Sequence, residues 1–348
     1  MLKHLTTPHE VLNPLTNDWL LISPQRTSRP WQGQLENNLE EPRLEYDKSC
    51  YLCPSNLRNT SERNPSYDST FVFVNDYSAL LPEVDEAIES PSKLFTSRTE
   101  SGTCEVICYS PKHNLVMANM SQAELKLVVN LWKDRYVELS GRDNISHVQI
   151  FENRGSEIGA SNPHPHGQIW AQSHIPVLPA KEIASQEKYY QKQGTPLLID
   201  YVQSELATNE RVVYQNDEFV IVVPYWAFWP YETMILPKAH ISSLADLQLS
   251  QVDSLADVLS ITTKTYAKFF GRPIYGAPYL LGIHQAPTDG RDTSALQLHI
   301  HFETPLLTPK LQKHVGGYER FGQLQRDITA STAAQNLRQA LAMISLKR

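Results

Sequence analysis

Apolar residues recur at helical spacing between positions 121 and 141. Leu125, Val128, Leu131 and Trp132 would lie on one side of a helix with 3.6 residues per turn. A serine precedes this pattern and a glycine follows it, and both residues are typical of helix ends. Runs rich in β-branched and aromatic residues stand on either side. The pattern therefore predicts a helix between strands.

The same order of predicted elements occurs twice along the chain. The first copy runs strand, strand, helix, strand and a strand with a His-x-His motif, at 70–82, 105–111, 121–141, 147–155 and 162–170. The second copy has two strands in 218–240, a helix in 243–270, and strands at 279–287 and 295–305. We therefore predict an α+β fold of two duplicated domains, 1–178 and 179–348, each an antiparallel sheet with flanking helices. The two halves join in a helical stretch within 180–210.

The His-x-His motif of the first copy places three polar side chains on one face of a strand. In "NPHPHGQIW", His164, His166 and Gln168 stand two residues apart, so they point the same way in an extended chain. Pro165 fixes a backbone dihedral angle, while Gly167 leaves room for a group to approach the main chain. This arrangement is typical of a functional site.

Three kinds of chemistry compete for these histidines: metal binding, general acid–base catalysis and nucleophilic catalysis. A nucleophilic imidazole needs one unprotonated nitrogen, with the other nitrogen donating to an acceptor that fixes the tautomer. A phosphoryl group also needs donors for its oxygens, which the Gln168 amide and the Ser161 hydroxyl can supply. We favour the nucleophilic role for the first motif. In the second motif Gln297, His299 and His301 share one face of a strand in the same way.

The composition and charge of the chain argue against a nucleic-acid-binding protein and against a membrane protein. The chain has 348 residues, 41% of them hydrophobic, with a net charge of −7 and a pI near 6.0. An acidic protein without a basic stripe is not expected to bind nucleic acid. We also expect no membrane span, because no stretch of about 18 apolar residues occurs. The N-terminal residues lack the apolar core of a signal peptide, so we expect a cytoplasmic protein.

Two of the four cysteines form a C-x2-C motif. Cys50 and Cys53 are flanked by turn residues, and this spacing is half of a common zinc site. A redox pair and two unrelated cysteines are the alternatives. Redox motifs of this spacing usually open a helix, whereas Pro54 and the residues after it indicate a turn. We therefore favour zinc.

The segment "FENRGSEIGASNPHPHGQIWAQS" resembles the active-site segment of the galactose-1-phosphate uridylyltransferases, a branch of the histidine triad superfamily. Further landmarks of that family follow the same order along the chain: "NPLTNDWLLISPQRTSRPWQG", the C-x2-C motif, "FVNDY", "PYWAFWPYETMILPKAH", "LQLHIHF" and "GGYERFGQLQRD". The resemblance covers nearly the whole chain. It implies two histidine-triad-like domains and a ping-pong exchange, in which UMP passes from UDP-glucose to galactose 1-phosphate.

The resemblance also implies roles for three residues of the first motif. His166 matches the nucleophile that carries UMP, Gln168 would hydrogen-bond the phosphoryl oxygens, and Ser161 would contact the departing phosphate. Hydrolytic relatives carry histidine where this chain has Gln168. Because an amide cannot exchange protons near neutral pH, the glutamine favours a transferase over a hydrolase.

Two metal sites follow from the same resemblance. The ligands of a structural zinc match Cys50, Cys53, His113 and His164. A second metal, iron or zinc, matches Glu182, His284, His299 and His301. Glu187 competes with Glu182 for the carboxylate position, because it lies only one or two helical turns away.

The family's substrate contacts fall in two parts of the chain. Those for the nucleotide and its phosphates match Arg26, Arg29, Asn75, Asp76, Asn153 and Gly159, although "ND" alone would be interpreted as a turn. The contacts for the hexose phosphate match Lys313, Gly316, Gly317, Tyr318, Glu319 and Gln325. In this segment, "KHVGGYE" is richer in glycine than the family pattern. In the family this second segment reaches the active site of a neighbouring subunit, which implies a homodimer.

Two other functions remain open at this point. The first is a related nucleotidyltransferase, such as a diadenosine tetraphosphate phosphorylase or an adenylyl-sulfate-type transferase, which would change the base and the acceptor. The second is a zinc-stabilised nucleotide-binding module without catalysis. The landmarks outside the motif argue against the first, and an intact His166 argues against the second.

Overall fold

The computed structural model describes residues 7–28, 43–84, 92–272, 275–308 and 311–345. The strands are β1 His9–Leu12, β2 Trp19–Ile22, β3 Phe71–Val74, β4 Gly102–Cys108, β5 His147–Arg154, β6 His166–Gln172, β7 Val212–Gln215, β8 Phe219–Val222, β9 Thr233–Pro237, β10 Tyr279–His284, β11 His299–Glu303, β12 Leu306–Thr308, β13 Leu311–Gln312 and β14 Gln325–Arg326. The α-helices are α1 Gln122–Ser140, α2 Val177–Gln193, α3 Leu197–Thr208, α4 Leu249–Phe269, α5 Gly317–Phe321 and α6 Ala330–Ser345.

One antiparallel sheet of nine strands runs through both halves of the chain, in the order β3-β4-β6-β5-β10-β11-β9-β8-β7. The element order β3-β4-α1-β5-β6 recurs as β8-β9-α4-β10-β11, as the sequence pattern predicts. The predicted α+β class is confirmed. The two halves meet where β5 pairs with β10, so their strands form a single continuous sheet.

Helices α1, α4 and α6 cover one face of this sheet. The start of α1 is fixed by a capping box, in which Ser121 and Glu124 satisfy each other's backbone N–H groups. The buried side of α1 includes Val128 and Trp132, which pack on Ile150 and Ile169 of the sheet. The largest hydrophobic core of the described residues lies between these helices and the sheet.

In the part of the chain that the structure describes, the opposite face of the sheet is covered mainly at its two ends, and α2 brings Glu182 against β10 and β11. Strands β1 and β2 and helix α3 pack on the outer strands of the second half. The segment around the C-x2-C motif packs on β3 and β4. The central strands β6, β5, β10 and β11 therefore present partly exposed side chains between two covered ends.

Residues in one row of the central strands connect the two His-x-His motifs. Gln168 pairs with Phe151, Phe151 with Gly282, and Gly282 with His301. Adjacent strands lie about 4.8 Å apart, so Gln168 and His301 are separated by roughly 14 Å on the same face. Across the described ranges, no helix is both long and apolar enough to cross a membrane.

Candidate active site

His166 begins strand β6 and points to the partly exposed face of the sheet. Its Nδ1 lies 2.8 Å from the main-chain carbonyl of His164, which accepts the Nδ1 proton. The Nε2 atom of the neutral ring then carries a free lone pair. Burial lowers the pKa of His166, and the positive charge of Arg154 acts in the same direction. The unprotonated ring is therefore the favoured form, as a nucleophile requires.

The amide of Gln168 has a defined orientation. The indole Nε1 of Trp170 lies 3.2 Å from Oε1 of Gln168. An indole N–H can only donate, so it is the carbonyl end of Gln168 that faces Trp170. The NH2 group of Gln168 is left to donate on the face that also carries His166.

Gly167 stands between these two side chains and points to the other face. A Cβ atom at position 167 would overlap the hydroxyl group of Tyr109 and would lie 3.0 Å from the carbonyl oxygen of Phe151. The Tyr109 backbone N–H also donates to the carbonyl of Pro165, over 2.9 Å. The group that approaches the main chain at Gly167 is therefore a tyrosine side chain of the protein itself.

The loop before β6 carries Ser161 and Gly159. Ser161 is exposed, and its Oγ lies 3.5 Å from the hydroxyl of Tyr51, which belongs to the C-x2-C segment. Gly159 has a φ of +79°, a left-handed conformation that a residue with a Cβ rarely adopts. Arg154, at the end of β5, anchors this loop, because its Nη1 donates to the carbonyl of Pro163 over 3.0 Å.

Cys50, Cys53, His113 and His164 are all buried, and their ligand atoms lie within 4.8 Å of one another. The Sγ of Cys53 is 3.7 Å from Nδ1 of His113 and 3.6 Å from Nδ1 of His164. Burial raises the pKa of the Cys53 thiol to about 12 and lowers that of His164 to about 3. A neutral imidazole is the form that binds a metal, and a bound cation would offset the cost of a buried thiolate.

Groups behind this cluster fix the orientation of its ligands. Nε2 of His164 donates to the carbonyl of Ser110 over 2.9 Å, which leaves Nδ1 free to face the cluster. The side chain of Asn162 lies against the Sγ of Cys50 at 3.5 Å and accepts the backbone N–H of His164 at 2.9 Å. The set of two thiols and two neutral imidazoles fits a tetrahedral metal site.

Glu182, His284, His299 and His301 form a second cluster, whose ligand atoms also lie within 4.8 Å of one another. Oε2 of Glu182 is 2.7 Å from Nδ1 of His284 and 3.5 Å from Nε2 of His299. Burial opposes the charge of Glu182, but His284 and His299 outweigh it and hold its pKa well below the usual value. Nε2 atoms of His299 and His301 are buried without a hydrogen-bond partner, as expected for atoms that bind a metal.

Glu187 does not belong to this cluster. Its Oε1 lies 3.1 Å from Nη1 of Arg291, and the side chain is 37% exposed. Glu182, in contrast, is 4% exposed and faces the three histidines. The sequence allowed either Glu182 or Glu187 as the carboxylate beside the three histidines, and the structure places Glu182 there.

The nucleotide-binding candidates lie on the first half of the molecule. Asn75 caps a turn, since its Oδ1 accepts the N–H of Tyr77 over 2.9 Å. Asp76 is held by Thr60 Oγ1 at 3.2 Å and by Arg58 Nε at 3.5 Å. Arg29 lies outside the described residues.

Asn153 lies on β5, two residues after Phe151, and lines a cleft of about 420 Å³ beside the Glu182 cluster. Most of the hexose-phosphate candidates line a different cavity, of about 580 Å³, which also contains Arg26. The candidates in that lining are Lys313, Gly316, Glu319 and Gln325. Tyr318 is 54% exposed and lies next to them in the chain.

The sequence did not indicate three residues that shape this site: Tyr109, Trp170 and Arg154. Trp170 could have been found, because it follows Gln168 at the strand period of two. Tyr109, just after β4, and Arg154, at the end of β5, reach the motif through tertiary packing, for which the sequence has no local signal.

Comparison with known proteins identifies the family of the chain. The family model for the N-terminal domain of galactose-1-phosphate uridyl transferase matches residues 1–176, and that for the C-terminal domain matches 182–347. A galactose-1-phosphate uridylyltransferase from Haemophilus influenzae is 44% identical, covering 98% of this chain and 96% of that protein. One from Saccharomyces cerevisiae is 40% identical, covering 95% and 93%.

Solved structures show the same fold at lower identity. A uridylyltransferase structure gives a TM-score of 0.77 at 24% identity, covering 97% of this chain and 99% of that one. An ADP-glucose phosphorylase from Arabidopsis thaliana, with ADP-glucose bound, gives 0.75 at 22% identity, covering 95% and 99%. Both family models match in order and the close relatives align over nearly their full length, so the chain belongs to the galactose-1-phosphate uridylyltransferase family.

Proposed function

We propose that this protein is a UDP-glucose–hexose-1-phosphate uridylyltransferase of galactose metabolism, a nucleotidyltransferase that works by ping-pong exchange. The observation that carries the proposal is the hydrogen bond from Nδ1 of His166 to the His164 carbonyl, at 2.8 Å. That bond directs the lone pair of Nε2 to the open face of the sheet. Relatives at 38–44% identity carry the name of this enzyme.

In the first half-reaction, Nε2 of His166 attacks the phosphorus nearest uridine in UDP-glucose. The new N–P bond forms as the P–O bond to glucose 1-phosphate breaks, and the leaving oxygen takes the electron pair. The ring then carries a positive charge, which the His164 carbonyl stabilises through the Nδ1 proton. Galactose 1-phosphate reverses these steps, and UDP-galactose leaves.

Gln168 and Ser161 act on the phosphoryl group in this proposal. The NH2 group of Gln168, freed by the contact of its carbonyl with Trp170, donates to a phosphoryl oxygen in the intermediate. The exposed Ser161 hydroxyl contacts the departing phosphate. Asn75, Asp76, Asn153 and Gly159 bind the nucleotide.

We assign zinc to the Cys50, Cys53, His113 and His164 cluster, because two thiolates and two imidazoles suit this ion. Zinc there supplies structural cross-linking, since it would join the C-x2-C segment to the strand that carries the nucleophile. The Glu182, His284, His299 and His301 cluster suits iron or zinc.

We further propose a homodimer in which each active site takes residues from both subunits. Of the described residues that line the 580 Å³ cavity around Lys313, Arg26 and Gln325, none belongs to β4, β5 or β6. The two groups of substrate contacts would therefore meet across a subunit boundary, with Arg29 alongside Arg26. None of the four cysteines forms a disulfide, which agrees with a reducing compartment such as the cytoplasm.

The test is to mix the protein with UDP-glucose labelled in the phosphate nearest uridine. We expect label on the protein that is stable to base and labile to acid, as a phosphoramidate is, and label that galactose 1-phosphate removes as UDP-galactose. The His166→Ala variant should fold but take up no label. Uptake by that variant at a rate near wild type would refute His166 as the nucleophile. Labelled ADP-glucose in parallel tests the adenylyl-transfer alternative.

A further inference from the structure

Three contacts hold the ammonium group of Lys313 at the edge of its cavity. Nζ donates to Oε1 of Glu319 over 3.1 Å and to the carbonyl of Gln325 over 2.9 Å. The third contact is the ring of Phe228, whose centroid lies 5.0 Å from Nζ. The Lys313 side chain is only 10% exposed, so its position is defined by these neighbours more than by solvent.

Phe228 belongs to the loop between β8 and β9, residues 223–232, and hydrogen bonds on both sides of Phe228 hold this loop. Oε2 of Glu232 accepts the backbone N–H groups of Phe228, at 2.8 Å, and Trp229, at 3.2 Å. Arg326, in the same short strand as Gln325, donates from Nη1 to the carbonyl of Ala227. Glu232 and Arg326 are both buried, so these contacts fix the direction in which the Phe228 ring points.

The same loop forms a wall between two sites. Pro230 and Tyr231 line the cavity of Lys313, whereas Phe228 and Glu232 line the 420 Å³ cleft on the other side. On the cleft side, Oε1 of Glu232 lies 4.0 Å from Nδ1 of His301. A single loop therefore connects the histidine-rich cluster with the cation of the opposite cavity.

We propose that Phe228 and Glu232 are positioning residues for Lys313, and that they set the affinity of the enzyme for the phosphorylated sugar. The inference rests on the proposed function, because it takes Lys313 as a contact of the hexose phosphate. An ammonium group over an aromatic face keeps its charge while its direction is restricted. Without the ring, Nζ keeps its hydrogen bonds to Glu319 and Gln325 but loses the contact that restricts it on the third side, so a smaller fraction of the lysine is oriented to bind a phosphate.

The experiment measures uridylyl exchange by the full-length, metal-loaded enzyme as galactose 1-phosphate is varied at saturating UDP-glucose. In Phe228→Leu we expect the apparent KM for galactose 1-phosphate to rise by about two- to fivefold, the range of a partly exposed cation–π contact. We expect kcat to stay within about twofold. Phe228→Tyr keeps the ring and should restore the wild-type KM. Glu232→Gln, which weakens the anchor of the loop, should raise KM in the same direction.

Melting temperature and metal content of each variant separate positioning from misfolding, since both should match wild type in Phe228→Leu and Phe228→Tyr. Lys313→Met is the reference, and its KM should rise more than that of either loop variant. If Lys313→Met raises KM while Phe228→Leu and Glu232→Gln leave it unchanged, the inference is overturned and the proposed function stands. If Lys313→Met itself leaves KM unchanged, both the inference and the assigned role of Lys313 fall. Should Phe228→Leu not fold, the Glu232→Gln result decides.

Discussion

The indole of Trp170 determines which end of the Gln168 side chain faces His166, the proposed nucleophile. An indole nitrogen donates a hydrogen bond but cannot accept one. The 3.2 Å contact from Trp170 can therefore only be made to the carbonyl end of the Gln168 amide. The donor end is then available to hold phosphoryl oxygens. An imidazole in the same place would present a basic nitrogen instead, and this difference leads to a prediction about water.

Gln168→His is expected to shift the balance from transfer to hydrolysis. A neutral imidazole can accept a proton from water and direct that water at the uridylyl phosphorus, which an amide cannot do. The change also removes a donor to the phosphoryl oxygens, which costs on the order of 1–3 kcal/mol, or roughly tenfold to a hundredfold in rate. The measurement is the ratio of UMP to UDP-galactose at matched galactose 1-phosphate concentration.

Trp170→Phe is the matched control for this change. It leaves Gln168 in place but removes the indole N–H, so the Gln168 amide group can flip by 180°. Uridylyl transfer should then slow, without a gain in hydrolysis. An unchanged product ratio in Gln168→His, with lower total activity, would mean that Gln168 only binds. The argument from glutamine to transferase would then fail.

Gly167→Ala is expected to destabilise the protein by about 1–3 kcal/mol, the usual cost of overpacking a filled core. The new Cβ would overlap the Tyr109 hydroxyl, which is buried and has no hydrogen-bond partner. Tyr109→Phe should therefore be nearly neutral alone and should relieve part of the loss in the double variant. Chemical denaturation of the four proteins measures the coupling. Strictly additive effects would show that the tyrosine hydroxyl does not set the need for glycine.

At this scale the sequence predicts which side chains converge, but not how they are oriented. The strand period of two places His166 and Gln168 on one face without any structure. The identity of the acceptor for Nδ1, the carbonyl of His164, depends on the backbone path at Pro165. The role of Gly167 was interpreted as access for an approaching group, whereas the group is the side chain of Tyr109, which directly follows the neighbouring strand β4.

At the scale of elements, the C-x2-C segment and strand β6 meet at the cluster of Cys50, Cys53, His113 and His164. His164 stands two residues before His166, the proposed nucleophile, so whatever fixes the cluster also fixes the start of β6. The Tyr67 hydroxyl, 3.2 Å from Nε2 of His164, and the Ser110 carbonyl hold the same ring from behind.

Cys53→Ser is expected to lower melting temperature and zinc content together. Structural zinc contributes several kcal/mol to folding, so the fall in Tm should be roughly 5 °C or more. Differential scanning calorimetry and elemental analysis of the same samples make the measurement. Cys104→Ser is the control, because Cys104 is equally buried on β4 but lies outside the cluster. Full zinc occupancy in Cys53→Ser would exclude Cys53 as a ligand.

Elements with strong local signals are the ones the sequence predicts well. Helix α1 begins after the serine and ends before the glycine that mark its pattern, and α4 falls inside the predicted stretch 243–270. The two-residue strands β13 and β14 have no periodicity to detect, since each is defined only by its pairing partner. The parallel pairing of β14 with β2 brings the two ends of the chain together, which no local pattern can indicate.

For the whole molecule, the separation of the proposed substrate contacts into two groups leads to a test with mixed subunits. His166→Ala should be nearly inactive as a homodimer, and so should Lys313→Met when galactose 1-phosphate is kept well below the raised KM of that variant. If each active site uses the nucleophile of one subunit and the Lys313 cavity of the other, a mixed dimer has one complete site. Co-refolding the two variants should then restore up to about a quarter of wild-type activity, as random pairing yields half mixed dimers with one working site each.

Exchange assays on the mixture, with each variant refolded alone as the control, make this measurement. Activity that never exceeds the sum of the two variants would place both groups of contacts in one subunit. Gel filtration of the wild-type protein gives the oligomeric state on which the test depends.

The whole-molecule architecture was predictable as a duplication but not as a single sheet. The repeated order of strands and helices is visible in the sequence because each element carries its own hydrophobic period. The joining of β5 to β10 is a pairing of Phe151 with Gly282 and of Ile150 with Ile283, far apart in the chain. Such contacts are decided by the packing of complete halves.

A ribosome completes β5 at residue 154 well before it reaches β10, which begins at residue 279. During that interval the first half of the nascent chain carries a strand edge that will later be internal, and that has none of the covering of a natural edge. Another nascent chain at the same stage offers the same edge, so the two can pair with each other. Chains that stop prematurely in the second half never acquire the partner strand. Because the two halves share one sheet, we expect the chain to tend to aggregate during synthesis and to benefit from chaperones that bind such edges.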